Sequence, residues 1–214
     1  MSIPFLRRLG LTVSLCASAA LAQAENWPAA DWEVGVTPSG AAVEAFEAYS
    51  FAARDDANPV GVRTDAVLVI RDGKVIYERY AGPTKATTPH LTWSVSKSLI
   101  SAVMGVAYAE GRFKLSDPVA MHYPPFAAHP QIKMGHLFNW ASGLDWQEGY
   151  ELAPLRSSVV AMLYTRGRDD MAAFTAAHQQ EVDPGTRFRY SSGDSTVIAA
   201  TLKSMAGPEA YPSY

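Results

Sequence analysis

Ser94 and Lys97 are the two residues whose types and spacing most directly suggest chemistry. They lie three positions apart where the sequence predicts the start of a helix. Residues three apart share a helix face, so the Lys97 amine can lie within hydrogen-bonding distance of the Ser94 hydroxyl. A neutral amine there can take the hydroxyl proton, and the free N–H groups of a helix N-terminus suit an oxyanion that forms beside the serine. The spacing therefore predicts a serine nucleophile with a lysine base.

Chance is the alternative explanation of this pair, because one Ser-x-x-Lys is expected from composition alone in a chain of 214 residues. The position of the pair argues against chance. Among six lysines only Lys97 has a serine three positions before it, and the pair opens the most helix-like segment, which Gly111 would end. Apolar residues recur there with helical spacing at Val95, Leu99, Ile100, Val103, Met104 and Ala107. We therefore predict a central, buried helix.

A strand pair and a flanking helix are predicted upstream of this helix. Residues 66–70 and 75–80 are rich in β-branched and aromatic residues, and they flank Asp72-Gly73, a strong hairpin signal. Apolar spacing predicts a helix over residues 41–53 that packs beside these strands. The predicted architecture therefore begins with an antiparallel sheet flanked by a helix.

The downstream half of the chain is predicted to be mainly helical. Residues 132–178 alternate short helical patterns with loops rich in Trp, Gly and Arg, which indicates an inserted all-helical subdomain. A further helix is predicted over residues 195–206. Together with the strand pair, these elements predict an α/β fold of the α+β type, with an antiparallel sheet flanked by helices.

The N-terminal residues have the pattern of a secretory signal peptide. Two arginines precede an apolar run over residues 9–21, and a small-x-small ending predicts cleavage after Ala24. The mature domain would be residues 25–214, secreted or periplasmic, with no later segment that predicts a membrane span. Cys16 is the only cysteine and lies within the signal, so disulfides and thiolate catalysis are not expected in the mature chain.

Charge and motif content exclude several classes of function. The chain carries 18 Lys and Arg against 21 Asp and Glu, without a long run of either sign, so nucleic acid is not an expected partner. No Gly-x-Ser-x-Gly, Walker loop or His-Glu-x-x-His is present. We expect no cofactor and no metal, because the histidines lack metal-ligand spacing: His90, His122, His129, His136 and His178.

Tyr190 adds a third landmark, and with Ser94 and Lys97 the chain resembles the serine β-lactamase and penicillin-binding protein superfamily. The resemblance is closest to the class C branch, which includes esterases, D-aminopeptidases and 6-aminohexanoate-oligomer hydrolases. It covers roughly residues 66–207. The landmarks occur in the family's order: the strands around Asp72-Gly73, the Ser-x-x-Lys helix, His136-Leu137-Phe138 leading to Ser142-Gly143-Leu144, and Pro184-Gly185-Thr186 leading to Tyr190.

This resemblance implies a role for each site residue. Ser94 would attack the substrate carbonyl and form an acyl-enzyme, Lys97 would serve as base or proton relay, and Tyr190 would pass a proton to the leaving group. Ser192 stands where the family's Tyr-x-Asn motif has its asparagine, and we assign it to substrate binding. Taken alone, Tyr190 would be a packed strand tyrosine, and Asp194 would make a local turn.

Superfamily members usually carry a third motif, Lys-Thr-Gly or similar, on a strand that lines the site. No Lys-Thr-Gly or Lys-Ser-Gly occurs in this sequence. The resemblance therefore implies an incomplete sheet and half of an oxyanion hole, and we hypothesise a domain truncated at its C-terminus.

An exported serine hydrolase acting on a small-molecule ester, amide or peptide is the leading hypothesis. A catalytically inactive fragment, or a binding or sensor module with a β-lactamase fold, is the alternative. The sequence leaves the substrate open among esters, β-lactams, D-amino peptides and oligoamides, and it leaves the oligomeric state open.

Overall fold

The computed structural model describes residues 31–52, 55, 57, 63–150 and 156–211. The predicted signal peptide lies outside these residues, so it stays a prediction. The described residues form two compact units, one that ends at His90 and one that begins at Leu91, and each is described separately.

The first unit contains a small sheet and one helix. Strand β1, Glu33–Val34, lies parallel to strand β3, Lys74–Tyr80, and β3 pairs antiparallel with strand β2, Ala66–Arg71. In the described part of the unit the strand order is β1-β3-β2. The predicted hairpin is confirmed, and its turn residues Asp72 and Gly73 have positive φ values of 50° and 73°, as a two-residue type I′ turn requires.

Helix α1, Ala41–Ser50, lies beside this sheet, as the sequence predicted. The Phe46 ring packs edge-on against Tyr77 of β3, with 5.5 Å between ring centroids. The Tyr77 hydroxyl donates a hydrogen bond of 2.8 Å to Glu47. One apolar and one polar contact thus fix the helix on the strand pair.

The second unit is helical in its described residues. Its α-helices are α2 Val95–Ala109, α3 Val119–His122, α4 Met134–Phe138, α5 Ser158–Tyr164, α6 Met171–Ala176 and α7 Ser192–Ala206, and a 3₁₀ helix covers Pro124–Ala128. With the sheet of the first unit, these helices confirm the predicted mixed α/β class. None of the described helices is long and apolar enough to cross a membrane. The proposed bounds of the helical subdomain, 132–178, remain a prediction.

Helix α7 lies at the centre of the hydrophobic core of the second unit. Its residues Val197, Ile198 and Leu202 are almost fully buried and pack in one cluster with Met104 of α2 and Leu137 of α4. At the N-terminal end of α7, Gly193 allows close packing against Trp146, because a Cβ there would lie 2.6 Å from the Trp146 ring. The N-terminus of α7 is therefore held tightly against neighbouring elements.

Helix α2 is less buried than its apolar pattern predicted. Met104 and Ala107 are fully buried, but Val95 and Leu99 are 59% and 58% exposed and Val106 is 53% exposed. The helix that the sequence predicted to be central and buried is therefore only partly buried in this structure. Apolar spacing indicates which faces suit burial, but it does not provide a partner for each face.

Candidate active site

Ser94 lies at the N-cap of α2, and Lys97 lies in the first turn of that helix. The Lys97 Nζ donates a hydrogen bond of 3.1 Å to the Ser94 Oγ. This is the geometry that the three-residue spacing predicted, since both side chains leave the same helix face. An amine and a hydroxyl at this distance can exchange a proton directly.

The backbone before Ser94 is held in an unusual conformation. Trp93 has a φ of 45°, in the left-handed region that non-glycine residues rarely adopt. Such a residue costs on the order of 1–3 kcal/mol, which the surrounding structure must offset. The turn places Ser94 at a corner, with its side chain exposed toward the cavity described below.

The first N–H groups of α2 differ from the sequence-based expectation. The amides of Ser96 and Lys97 each donate a bond of 3.0 Å to a carbonyl three residues earlier, and so does the amide of Val95. These donors are engaged rather than free to bind an oxyanion. The Ser94 amide is not among these engaged amides, so it is the remaining candidate donor for an oxyanion.

Tyr190 joins the same site from a distant part of the sequence. Its hydroxyl donates a hydrogen bond of 2.8 Å to the Ser94 Oγ, and the Lys97 Nζ lies 5.0 Å from its ring centroid. The ring packs against Trp140, with 4.5 Å between centroids, and the amide of the preceding residue, Arg189, donates to the Trp140 carbonyl. Tyr190 lies just before α7 rather than in a strand. The three predicted catalytic residues therefore meet at one oxygen.

A cavity of about 600 Å³ opens beside this oxygen. Among the described residues that line it, Lys97 is the only lysine, arginine, histidine or acidic residue. The hydroxyls of Ser94, Ser192 and Thr196 supply polar groups to the wall. The apolar part of the described wall consists of Leu91, Trp93, Ile100, Met162, Leu163 and Ala199. Such a cavity suits a largely apolar ligand that a few polar groups orient.

Ser192 lines this cavity and forms two hydrogen bonds with Glu148. The Ser192 amide donates a bond of 3.0 Å to a Glu148 carboxylate oxygen, and the Ser192 hydroxyl bonds to the other oxygen of the same carboxylate. The indole N–H of Trp146 also donates to Glu148. Sequence reasoning missed Glu148, because it lies 44 residues from Ser192 and belongs to no motif that we recognised.

Asp194 is the most deeply buried acid described near the site, at 1% exposure. Its carboxylate accepts a bond of 2.9 Å from the Ser142 hydroxyl, and its amide donates 2.9 Å to Ser191, the N-cap of α7. Burial raises the pKa of Asp194 to about 7, although the bonds from Ser142 and Ser191 act in the opposite direction. The bond to Ser191 is the expected local turn. The bond from Ser142 also joins α7 to a loop 52 residues earlier in the sequence.

Replacing Asp194 with asparagine is expected to change how stability depends on pH. The folded pKa, about 7, lies above the ordinary value of 3.8. The folded state therefore binds this proton more tightly, and the stabilisation is complete below about pH 4 and lost as pH rises through 7. The difference in Tm, wild type minus Asp194→Asn, should decrease between pH 5 and pH 8, as measured by circular dichroism.

The comparison with the variant cancels the opposite contributions of His136 and His178, whose pKa values burial lowers. Histidines of this kind stabilise the fold as pH rises. A Tm difference that stays constant from pH 5 to pH 8 would contradict the raised pKa of Asp194.

Two of the histidines bond to backbone carbonyls. His129 bonds to the Ala176 carbonyl at 2.9 Å, and His178 bonds to the Asp145 carbonyl at 2.6 Å. In the part of the chain that the structure describes, no three His, Cys, Asp or Glu side chains are grouped to hold a metal ion.

The chain is similar in sequence to proteins of one known family. The model of the family described as Beta-lactamase matches residues 52–214. A curated protein of Paenarthrobacter ureafaciens, named 6-aminohexanoate-dimer hydrolase, is 28% identical over 151 residues, which are 67% of this chain and 38% of that protein.

A solved structure from Bacillus anthracis has a similar fold, and it is described as a putative 6-aminohexanoate-dimer hydrolase. Its TM-score is 0.57 at 19% identity, over 66% of this chain and 40% of the other. The chain thus spans about two fifths of the length of these two relatives.

Proposed function

The chain belongs to the β-lactamase family, and from that premise we propose that it is a serine hydrolase that cleaves an ester or amide through an acyl-enzyme on Ser94. One observation supports the proposal above all others. The Ser94 Oγ forms hydrogen bonds with both the Lys97 amine and the Tyr190 hydroxyl, at 3.1 and 2.8 Å. A nucleophile with a base on one side and a proton donor on the other is the arrangement that acyl transfer requires.

The reaction follows from these contacts. Neutral Lys97 takes the Ser94 proton as the Oγ attacks the substrate carbonyl carbon, and the carbonyl oxygen becomes an oxyanion that the Ser94 amide stabilises. Tyr190 then gives its proton to the leaving oxygen or nitrogen as that bond breaks, and it recovers a proton from Lys97. Water attacks the acyl-enzyme in the second half, transfers its proton to the same base, and releases the acid while Ser94 is reprotonated.

The finer assignments belong to the same proposal. The order of the motifs favours the class C branch, in which esters, small peptides and oligoamides are substrate candidates. The N-terminal sequence pattern favours export to the periplasm or the medium. The name of the curated relative adds the linear dimer of 6-aminohexanoate to the amides worth testing.

A second candidate function is a binding or sensor module that is acylated but does not turn over. The engaged amides at the start of α2 favour it, because fewer oxyanion donors slow both half-reactions. Release of p-nitrophenol from p-nitrophenyl butyrate separates the two. Many equivalents of product per protein would support the hydrolase, and a burst of one equivalent would support the module.

A further inference from the structure

The Ser192 hydroxyl has a restricted set of hydrogen-bonding options. A serine hydroxyl has one proton to donate and two lone pairs that accept. Glu148 presents a carboxylate oxygen to this hydroxyl, and an ionised carboxylate can only accept. The proton between them therefore comes from Ser192, and the side of the hydroxyl that faces the cavity offers lone pairs alone.

Glu148 is itself held in place, so the direction of the hydrogen bond from Ser192 to Glu148 is fixed. It receives hydrogen bonds from the Trp146 indole, the Ser192 amide and the Ser192 hydroxyl. Trp146 is 1% exposed, and the Ser192 amide belongs to the first turn of α7. Three donors on one carboxylate, two of them from rigid groups, leave Glu148 little freedom to turn away.

Thr196 and Tyr150 are polar residues near Ser192 on the cavity wall, and the Thr196 hydroxyl donates to the Ser192 carbonyl. A hydrogen bond with Ser192 is among the interactions that act on the Tyr150 phenol, whose pKa is raised mainly by burial. Because Glu148 takes the Ser192 proton, the lone pairs of this hydroxyl remain for a ligand.

We infer that Ser192 acts as a hydrogen-bond acceptor for an N–H group of the substrate, and that Glu148 is the positioning residue that makes it so. The inference rests on the proposed function and specifies its substrate class. The rest of the described wall is apolar apart from hydroxyls and Lys97. The substrate is therefore an amide, or an ester with an amide in its acyl chain, whose remaining groups are neutral and apolar.

Two matched substrate pairs test this on the purified chain. The first pair is hexanoyl p-nitroanilide and its N-methyl analogue, which differ in an N–H on the leaving side. The second is the p-nitrophenyl esters of N-hexanoylglycine and N-hexanoylsarcosine, which differ in an N–H on the acyl side. Single-turnover acylation rates give an N–H preference for each pair, and this readout does not require deacylation.

The preference is expected to fall about 3- to 10-fold in Ser192→Ala and Glu148→Ala for at least one pair, as the loss of one neutral hydrogen bond predicts. Glu148→Gln should lose the preference as well, because the Trp146 indole and the Ser192 amide hold the single amide oxygen, and the amide NH₂ then donates to the Ser192 hydroxyl instead of accepting its proton. Asp169→Ala is the matched control, since it removes a carboxylate that is 97% exposed. It should change nothing.

An unchanged preference in Ser192→Ala for both pairs would overturn the inference, and so would a preference that Glu148→Gln retains. If Glu148→Ala shows no cooperative thermal transition, Ser192→Ala and Glu148→Gln decide. Labelling of Ser94 by a fluorophosphonate distinguishes a failure of this inference from a failure of the proposed function. Labelling with an unchanged preference refutes this inference alone, whereas absence of labelling in the wild type refutes the proposed function.

Discussion

Replacing Ser94 with alanine is expected to abolish covalent labelling of the chain by a fluorophosphonate. The reagent reacts with an activated serine, and Ser94 is the serine whose Oγ contacts both an amine and a phenol. Without that oxygen no acyl or phosphonyl bond can form. Intact-mass spectrometry should show one stoichiometric adduct on the wild type and none on Ser94→Ala.

Ser96→Ala is the matched control for this experiment. Ser96 lines the same cavity two residues further along, and its hydroxyl bonds to that of Thr92 at 2.8 Å. Its removal should leave the adduct intact. An adduct of unchanged stoichiometry on Ser94→Ala would refute the assignment of the nucleophile, and loss of the adduct in both variants would point to a damaged fold.

Replacing Lys97 should slow acylation by about 10²–10⁴-fold if its amine is the general base. Alanine removes both the amine and the charge. Arginine keeps a positive charge but does not give up its proton in a protein, so it cannot act as a base. Both Lys97→Ala and Lys97→Arg are therefore expected to be slow in time-resolved fluorophosphonate labelling.

The arginine variant makes the role of Lys97 decidable. A labelling rate near the wild-type value in Lys97→Arg would mean that the residue acts through its charge rather than as a base. Lys203→Ala is the matched control, because Lys203 lies in the last turn of α7 and does not line the cavity. It should label at the wild-type rate.

The candidate site was predictable only where its geometry is local or belongs to a motif. The Ser94 and Lys97 pair could be derived from helix periodicity, since both residues lie within one turn. Tyr190 lies 96 residues from Ser94, and only the order of motifs in a known superfamily linked the two. Glu148 was not found, because a contact between distant polar residues leaves no periodic signal in the chain.

The fold was predictable at the level of its elements. The hairpin turn at Asp72-Gly73 and the helix that begins after Ser94 follow from local preferences. Helix α7 begins at Ser192, three residues before the predicted start, because Ser191 rather than a later residue caps it. The exposure of Val95 and Leu99 was not predictable, since burial depends on what packs against a helix and not on the helix alone.

The long sequence separation between Ser94 and Tyr190 also couples chemistry to folding. Joining groups 96 residues apart requires closing a long loop, which costs conformational entropy that only the packed structure repays. In an unfolded or partly folded chain, Ser94 would be an ordinary hydroxyl with at most its neighbouring lysine. Reactivity at Ser94 should therefore disappear together with the fold, and a labelling assay would measure the fraction of molecules whose second unit is assembled.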